Sequence, residues 1–244
     1  MKGLIVTGGA HGIGAEIARQ ALSAGYRVGL LDIDRARTEA AAADMGAVPL
    51  VASVTDSAQL STACAEFGEL DALVNCAGIL RSGDLSSLSD EDFRAVIDVN
   101  LTGVYLASRV AAKQMAARGG AIVNISSINA SQPSPAAGAY VAAKAGVEAL
   151  TRQMSLEWAA DNIRVNAVSP GFVNAGMAEP FYADESVRNR RTAAVPLKRL
   201  GTADDIARAV LFLLSEDAAY ISGQILSVDG ALGHSALHGL SREG

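Results

Sequence analysis

The amino-acid sequence predicts an α/β fold built on one doubly wound, parallel, seven-stranded sheet, on three observations. Seven short apolar runs lack the polar alternation of a half-exposed strand, each pair is separated by room for a helix, and the first run opens directly into a glycine-rich turn. Runs of that kind are buried on both faces, which is the situation of parallel strands joined by right-handed helical crossovers. The length of 244 residues, with 50% hydrophobic and 19% charged, is enough for one sizeable core, so a single domain over 1–244 is expected.

The runs fall at 4–6, 27–32, 48–52, 70–75, 121–126, 163–169 and 224–229. In a sheet of this Rossmann-like kind, sites lie outside the carboxyl ends of the strands, so chemistry is sought just after each run. After the first comes T-G-G-A-H-G-I-G, with Gly8, His11, Gly12, Ile13 and Gly14 leading into a helix-like A-E-I-A-R-Q-A-L. Glycines there permit a tight turn and let backbone N–H groups approach a pyrophosphate at a helix N-terminus. The spacing is G-x-x-x-G-x-G, and a plain structural turn is the competing reading.

The second run ends at Asp32, eighteen residues beyond Gly14 and followed by Ile33. A carboxylate at that place accepts hydrogen bonds from a ribose diol and repels a 2′-phosphate, which favours NAD; a helix cap is the alternative role, for which Asp34 competes. The third run leads to Ser53, Val54 and Asp56, the last suited to cap a helix, and the fourth ends N-C-A-G, Asn75 to Gly78, where Ala77 and Gly78 leave space for a cofactor. The region 89–118 reads as one long helix carrying Asn100, an asparagine disfavoured in mid-helix and followed by Gly103, which fits a local kink and a satisfied core amide equally well. The fifth run ends at Ser126 and Ser127, and Pro133 and Pro135 then keep the chain in a loop up to a helix from about residue 137. In that helix Val147, Leu150, Met154 and Trp158 form an apolar stripe read as packing. The sixth run ends S-P-G-F-V, giving Pro170, Gly171, Phe172 and Val173, and about twenty irregular residues follow. So long a loop in a compact domain is usually a binding element, so 174–197 is assigned as a substrate lid. From about 232 the chain is a tail without period.

Tyr140 and Lys144 are four residues apart, so on a helix they share one face. A phenol titrates at about 10 in water, and an ammonium about 4 Å away is worth roughly 4 kcal/mol at an effective dielectric of about 20. Desolvation opposes part of that, but a fall of about one to three units is within reach, which would let Tyr140 trade protons with an alcohol or carbonyl oxygen near neutral pH. Alone, Y-x-x-x-K is more often a solvated helix face.

Composition narrows the partners. A net charge of −6 and the lack of a dense Lys/Arg run, R-N-R-R at 188–191 being the nearest, argue against nucleic acid. No stretch reaches the length of a membrane span, and the N-terminus has no signal-peptide core, so a soluble, unprocessed cytoplasmic protein is expected. Cys64 and Cys76 lack metal-ligand spacing and fit a reducing compartment; His11, His234 and His238 are scattered, and no metal is expected.

Taken together, T-G-G-A-H-G-I-G, N-C-A-G, V-N-L-T-G, I-V-N-I-S-S, Y-V-A-A-K, S-P-G-F-V and I-S-G-Q-I-L-S-V-D-G resemble, in order and spacing, the short-chain dehydrogenase/reductase family over residues 3 to about 232. The resemblance implies that Tyr140 is the acid/base, that Lys144 lowers its pKa and holds the nicotinamide ribose, that Ser127 orients the substrate oxygen, and that Asn100 holds a water linking Lys144 to solvent. It also implies a homotetramer or homodimer through the Tyr140 helix and the last strand. Four positions depart from the family pattern: Ser53 for an Asp, Cys76 for an Asn, Ala175 for a Thr and Ala231 for a Gly.

The expected function is an NAD-dependent oxidoreductase interconverting a secondary alcohol and a ketone, with Asn129, Gln132 and Phe172 beside Ser127 and Tyr140 toward the substrate. Met177, Phe181 and Tyr182 are apolar candidates from the lid, and a mixed pocket for a small or medium apolar ketone is expected, the alternative being an anionic group met by the lid arginines. An NADPH-linked ketone or 3-oxoacyl-carrier reductase is the alternative within enzymes. A non-catalytic cofactor-binding protein is the alternative outside them.

Overall fold

Seven parallel strands form one sheet in the order β3-β2-β1-β4-β5-β6-β7 in the computed structural model, which describes residues 1–237. The strands are β1 Gly3–Thr7, β2 Arg27–Asp32, β3 Val48–Val51, β4 Ala72–Asn75, β5 Gly120–Ile125, β6 Ile163–Pro170 and β7 Ile225–Val228. Each coincides with one apolar run to within two residues at either end. The order reverses between β1 and β4, and the cleft opens at the carboxyl ends beside that switch point.

Among the described residues there are eight α-helices, all but the lid helix α7 flanking the sheet: α1 Gly12–Ser23, α2 Arg35–Met45, α3 Ser57–Phe67, α4 Asp90–Ile97, α5 Gly103–Met115, α6 Tyr140–Glu157, α7 Glu185–Ala194 and α8 Ala203–Leu214. One core lies under α1 and α8, where Ile17, Ala21, Val210 and Leu213 meet Leu4, Val6 and Val74 of the sheet. The other lies under α3, α5 and α6, where Leu60, Phe67, Met115 and Met154 meet Ile5, Leu73 and Ile122. Together they sandwich the sheet, which explains why its central strands are predominantly apolar on both faces.

Three expectations are corrected. The single helix over 89–118 is interrupted by a π turn at Asp98–Thr102, so Asn100 sits in a bulge between α4 and α5. The bulge brings the Asn100 amide onto Ile79, and Gly103 is required behind it because a Cβ there would lie 2.8 Å from Val54 Cγ2. The lid is not irregular: Gly176–Ala183 forms 3-10 turns and α7 follows, capped by the Asp184 carboxylate on the N–H groups of Ser186 and Val187. Helix α7 buries none of its residues, so it has no apolar stripe by which periodicity would reveal it. The tail from 232 begins with 3-10 turns over Leu232–Leu237; His238 and the remainder lie outside the described residues.

Candidate active site

The cleft, roughly 410 Å³, brings together the glycine turn after β1, the ends of β4, β5 and β6, the start of α6 and the lid. Of the residues expected from sequence, Gly8, His11, Gly12, Ile13, Gly14, Ala77, Gly78, Ser127, Asn129, Tyr140, Lys144, Pro170, Phe172 and Val173 line it. Residues not singled out from sequence also line it, among them Leu80, Ser82, Ser134 and Ala136. The only signal for Ser134 and Ala136 was their place in the proline-broken loop before Tyr140.

Tyr140 is the first residue of α6, later than the expected start near 137, and its N–H donates to Ala137 at 3.1 Å. Lys144 follows one turn on, is 4% exposed, and donates from Nζ to the Ile125 carbonyl at 2.7 Å, with Nζ 5.5 Å from the centre of the Tyr140 ring. Ser127 comes from the end of β5 and caps a short 3-10 turn, its Oγ accepting from Asn129 N–H at 3.2 Å.

The expected fall in the Tyr140 pKa does not occur in the protein alone. Burial pushes the phenol up to about 12, and its hydrogen bond with Ser127 pulls back only part of that. Burial likewise pushes the Lys144 ammonium down to about 8. Desolvation dominates both shifts, and the Lys144 ammonium is spent on the Ile125 carbonyl. Cys76, also at the cleft, is held up at about 11 by burial and is not a thiolate.

Several expected positions do other work. The Asn75 side chain turns away from the cleft, donating from Nδ2 to Ser108 Oγ and to Asn124 Oδ1, both at 2.8 Å. Gln132 is exposed on the outside of its loop and does not line the cleft. Gly171 is needed for packing against β7, since a Cβ there would lie 2.7 Å from Asp229 Cα. The Ser53 hydroxyl sits in its own turn, 2.8 Å from Thr55 Oγ1, and the Val54 side chain packs on the α3/α5 core. Asn100 directs both ends of its amide at Ile79, accepting from the N–H at 2.7 Å and donating to the carbonyl at 2.8 Å. A water held at this position would therefore be held by its backbone.

Asp32 and Ile33 lie just beyond the glycine turn, outside the cleft lining. Asp32 Oδ1 accepts from Ile33 N–H at 2.8 Å, and Oδ2 is 4.0 Å from His11 Nδ1. Unnoticed in the sequence was Thr7, whose Oγ1 accepts from the N–H groups of Cys76 and Ala77 at 3.1 Å and so ties the end of β1 to the end of β4.

These residues fit a dinucleotide. Helices α2, α3, α4, α7 and α8 each begin under a side-chain cap, whereas α1, like α6, begins with none and with no acid in its first turn. Its free N–H groups face the cleft through a turn in which Gly8 and Gly12 have φ of +64° and +57°, and that is an arrangement for pyrophosphate.

The comparisons agree with this geometry. Residues 8–232 match the family model described as enoyl-(acyl carrier protein) reductase. The chain is 39% identical to the 3-oxoacyl-[acyl-carrier-protein] reductase FabG of Chlamydia muridarum over 95% of this chain and 97% of that protein. It is 38% identical to galactitol 2-dehydrogenase (L-tagatose-forming) of Cereibacter sphaeroides over 92% of each. A 3-oxoacyl-[acyl-carrier protein] reductase from Brucella melitensis, solved with bound NAD, superposes with a TM-score of 0.88 at 29% identity, covering 94% of this chain and 90% of that one. The chain belongs to the short-chain dehydrogenase/reductase family. It is an oxidoreductase of CH–OH groups that uses a nicotinamide cofactor.

Proposed function

We propose that the chain interconverts a secondary alcohol and its ketone with NAD as the preferred cofactor, Tyr140 carrying the proton. The observation that bears most weight is that Tyr140, Ser127 and a buried Lys144 line one cleft. When bound, the nicotinamide supplies or accepts the hydride. In the reducing direction Ser127 and Tyr140 both donate to the carbonyl oxygen, and Tyr140 delivers its proton as the oxygen gains charge. A phenol near 12 is protonated throughout the neutral range, as a proton donor must be. In the oxidising direction Tyr140 withdraws the alcohol proton, and the Lys144 ammonium, with the ribose hydroxyls it is placed to hold, favours the phenolate. Asn100 holds the β4 loop beside that lysine through Ile79.

Asp32 supports NAD over NADP, because a carboxylate at the end of β2 would repel a 2′-phosphate and the neighbouring Ile33 offers no positive charge. The lid at 174–197 closes over the substrate, and a homo-oligomer, dimer or tetramer, is proposed through α6 and β7, where Leu156 and Leu226 are exposed. Cys64 and Cys76 are free thiols, which supports a reducing, cytoplasmic location. The decisive screen follows NAD⁺ reduction over secondary alcohols, diols and hydroxy acids. The expected efficiency with NAD⁺ exceeds that with NADP⁺ by roughly tenfold or more; equal use of the two would remove Asp32 from the argument. The likeness to 3-oxoacyl-carrier reductases supports a second reading, for which a carrier-bound 3-oxoacyl thioester with NADPH would be the superior substrate.

A further inference from the structure

The lid helix α7 carries three arginines near its end, and two have ordinary partners. Arg188 pairs with Glu185 at 3.9 Å and Arg190 donates to Ser186 Oγ at 3.1 Å, both on the exposed face. Arg191 is half-buried and lines the cleft. Its Cζ lies 4.8 Å from the centre of the Phe172 ring, 5.4 Å from that of Tyr182 and 5.9 Å from that of Phe181, and Nη1 donates to the Tyr182 hydroxyl at 3.2 Å. Among the described residues Arg191 has no ion-pair partner, and no Asp or Glu lines the cleft, although acids outnumber bases 26 to 20 in the chain.

Aromatic faces hold the guanidinium in place and shield it from water without neutralising it. A planar, weakly hydrated cation so fixed keeps its Nε/Nη2 edge for a bidentate oxyanion, in a cleft from which competing carboxylates are absent. Phe172, two residues beyond the end of β6, lines the cleft with Arg191, so the cation shares one cleft with the Ser127 and Tyr140 hydroxyls. The phosphate-binding features are separate, on the uncapped start of α1.

We propose that Arg191 is the specificity-determining residue of the substrate pocket, and that the substrate is a secondary alcohol or ketone bearing an oxyanion, such as a carboxylate, sulfonate or phosphate. This rests on the reading of the cleft as an alcohol/ketone site, and it replaces the small apolar ketone expected from sequence. The anion docks against Arg191 and thereby turns the carbinol carbon toward Ser127 and Tyr140.

Two measurements test it. A hydroxy acid, its methyl ester, and the sulfonate and phosphate of matched chain length are compared as substrates; the best anion should exceed the neutral ester by about 30-fold in kcat/KM. In Arg191→Gln that advantage vanishes, mainly through KM, and Arg191→Lys recovers part of it. The Kd for NADH, read by fluorescence titration, stays unchanged in both variants. Equal loss for acid and ester, indicating a mere lid clamp, or a weakened NADH complex, indicating a cofactor contact, overturns the proposal. The second measurement needs no turnover: butanoate, butanesulfonate and butyl phosphate are added to the NADH complex. At least one should raise the melting temperature of the wild type and none that of Arg191→Gln; no difference between the proteins overturns the proposal. Failure of every alcohol and ketone to react while this shift persists would instead sink the catalytic reading and leave the anion site standing.

Discussion

Behind one wall of the cleft, Asn75, Ser108, Asn124 and Thr151 form a continuous chain of buried hydrogen bonds that fastens β4 and β5 to α5 and α6. Asn75 Nδ2 donates to Ser108 Oγ and Asn124 Oδ1, Asn124 Nδ2 to Thr151 Oγ1 at 2.9 Å, and Thr151 Oγ1 to the Val147 carbonyl at 2.8 Å. On the opposite wall, α7 buries nothing and is held by its Asp184 cap, surface ion pairs and the stacking of Arg191 on its aromatic neighbours. The contrast separates two tasks. The proposed proton transfer needs Ser127, Tyr140 and Lys144 fixed to fractions of an ångström, and the wall that carries them is backed by polar groups that are costly to disturb. Substrate entry needs a wall that moves, and few buried contacts make movement cheap.

The contrast breaks most visibly at Lys144. Replacing it by Met should lower kcat by about 10²- to 10³-fold, with the fold intact by circular dichroism. In the wild type, kcat/KM for ketone reduction should hold up to about pH 8 and fall above it, because Lys144 is charged below its value of about 8 and neutral above, while Tyr140, up at about 12, keeps its proton. The fall should be missing from Lys144→Met, and a wild-type profile flat to pH 10 would refute the assignment.

Next in size is Asn124→Leu, which strips Asn75 of an acceptor and Thr151 of a donor within the core. It should cost about 2–3 kcal/mol, a drop of roughly 5–10 °C in melting temperature for a chain of this size. A drop below about 2 °C would show that the rigid wall owes nothing to this network. Smallest is Asp184→Ala, which uncaps α7: about 1 kcal/mol locally, with the melting temperature nearly unchanged but KM for substrate raised. A large thermal loss there would erase the distinction between the walls.

The same division decides what could be read from the sequence. The strands were legible because burial on both faces leaves an unbroken apolar run, whereas Tyr140, Lys144 and Ser127, which line one cleft, were singled out by the resemblance of their motifs to the family's, the Tyr–Lys spacing alone reading more often as a solvated helix face. The π turn at Asn100 was visible only as a misplaced asparagine, since its cause, the Ile79 backbone, is twenty-one residues away. The Asn75 side chain was misassigned for a like reason: its partners come from β5 and α5, which no local pattern connects. The Tyr140 pKa went the other way because spacing reports proximity but not desolvation. In α7 nothing periodic existed to be read, and the one arginine that turns inward has the same sequence surroundings as those that do not.

The central claim is that Tyr140 moves the proton in a cleft already shaped to hold the cofactor. Its most direct test is Tyr140→Phe, with hydride transfer followed by stopped-flow absorbance and NADH affinity by fluorescence titration on the same samples. The account predicts that hydride transfer slows by at least about 10³-fold while the Kd for NADH changes less than about threefold, since the phenol oxygen serves the reaction more than the complex. Hydride transfer within about tenfold of wild type, or NADH binding lost along with it, would contradict the claim.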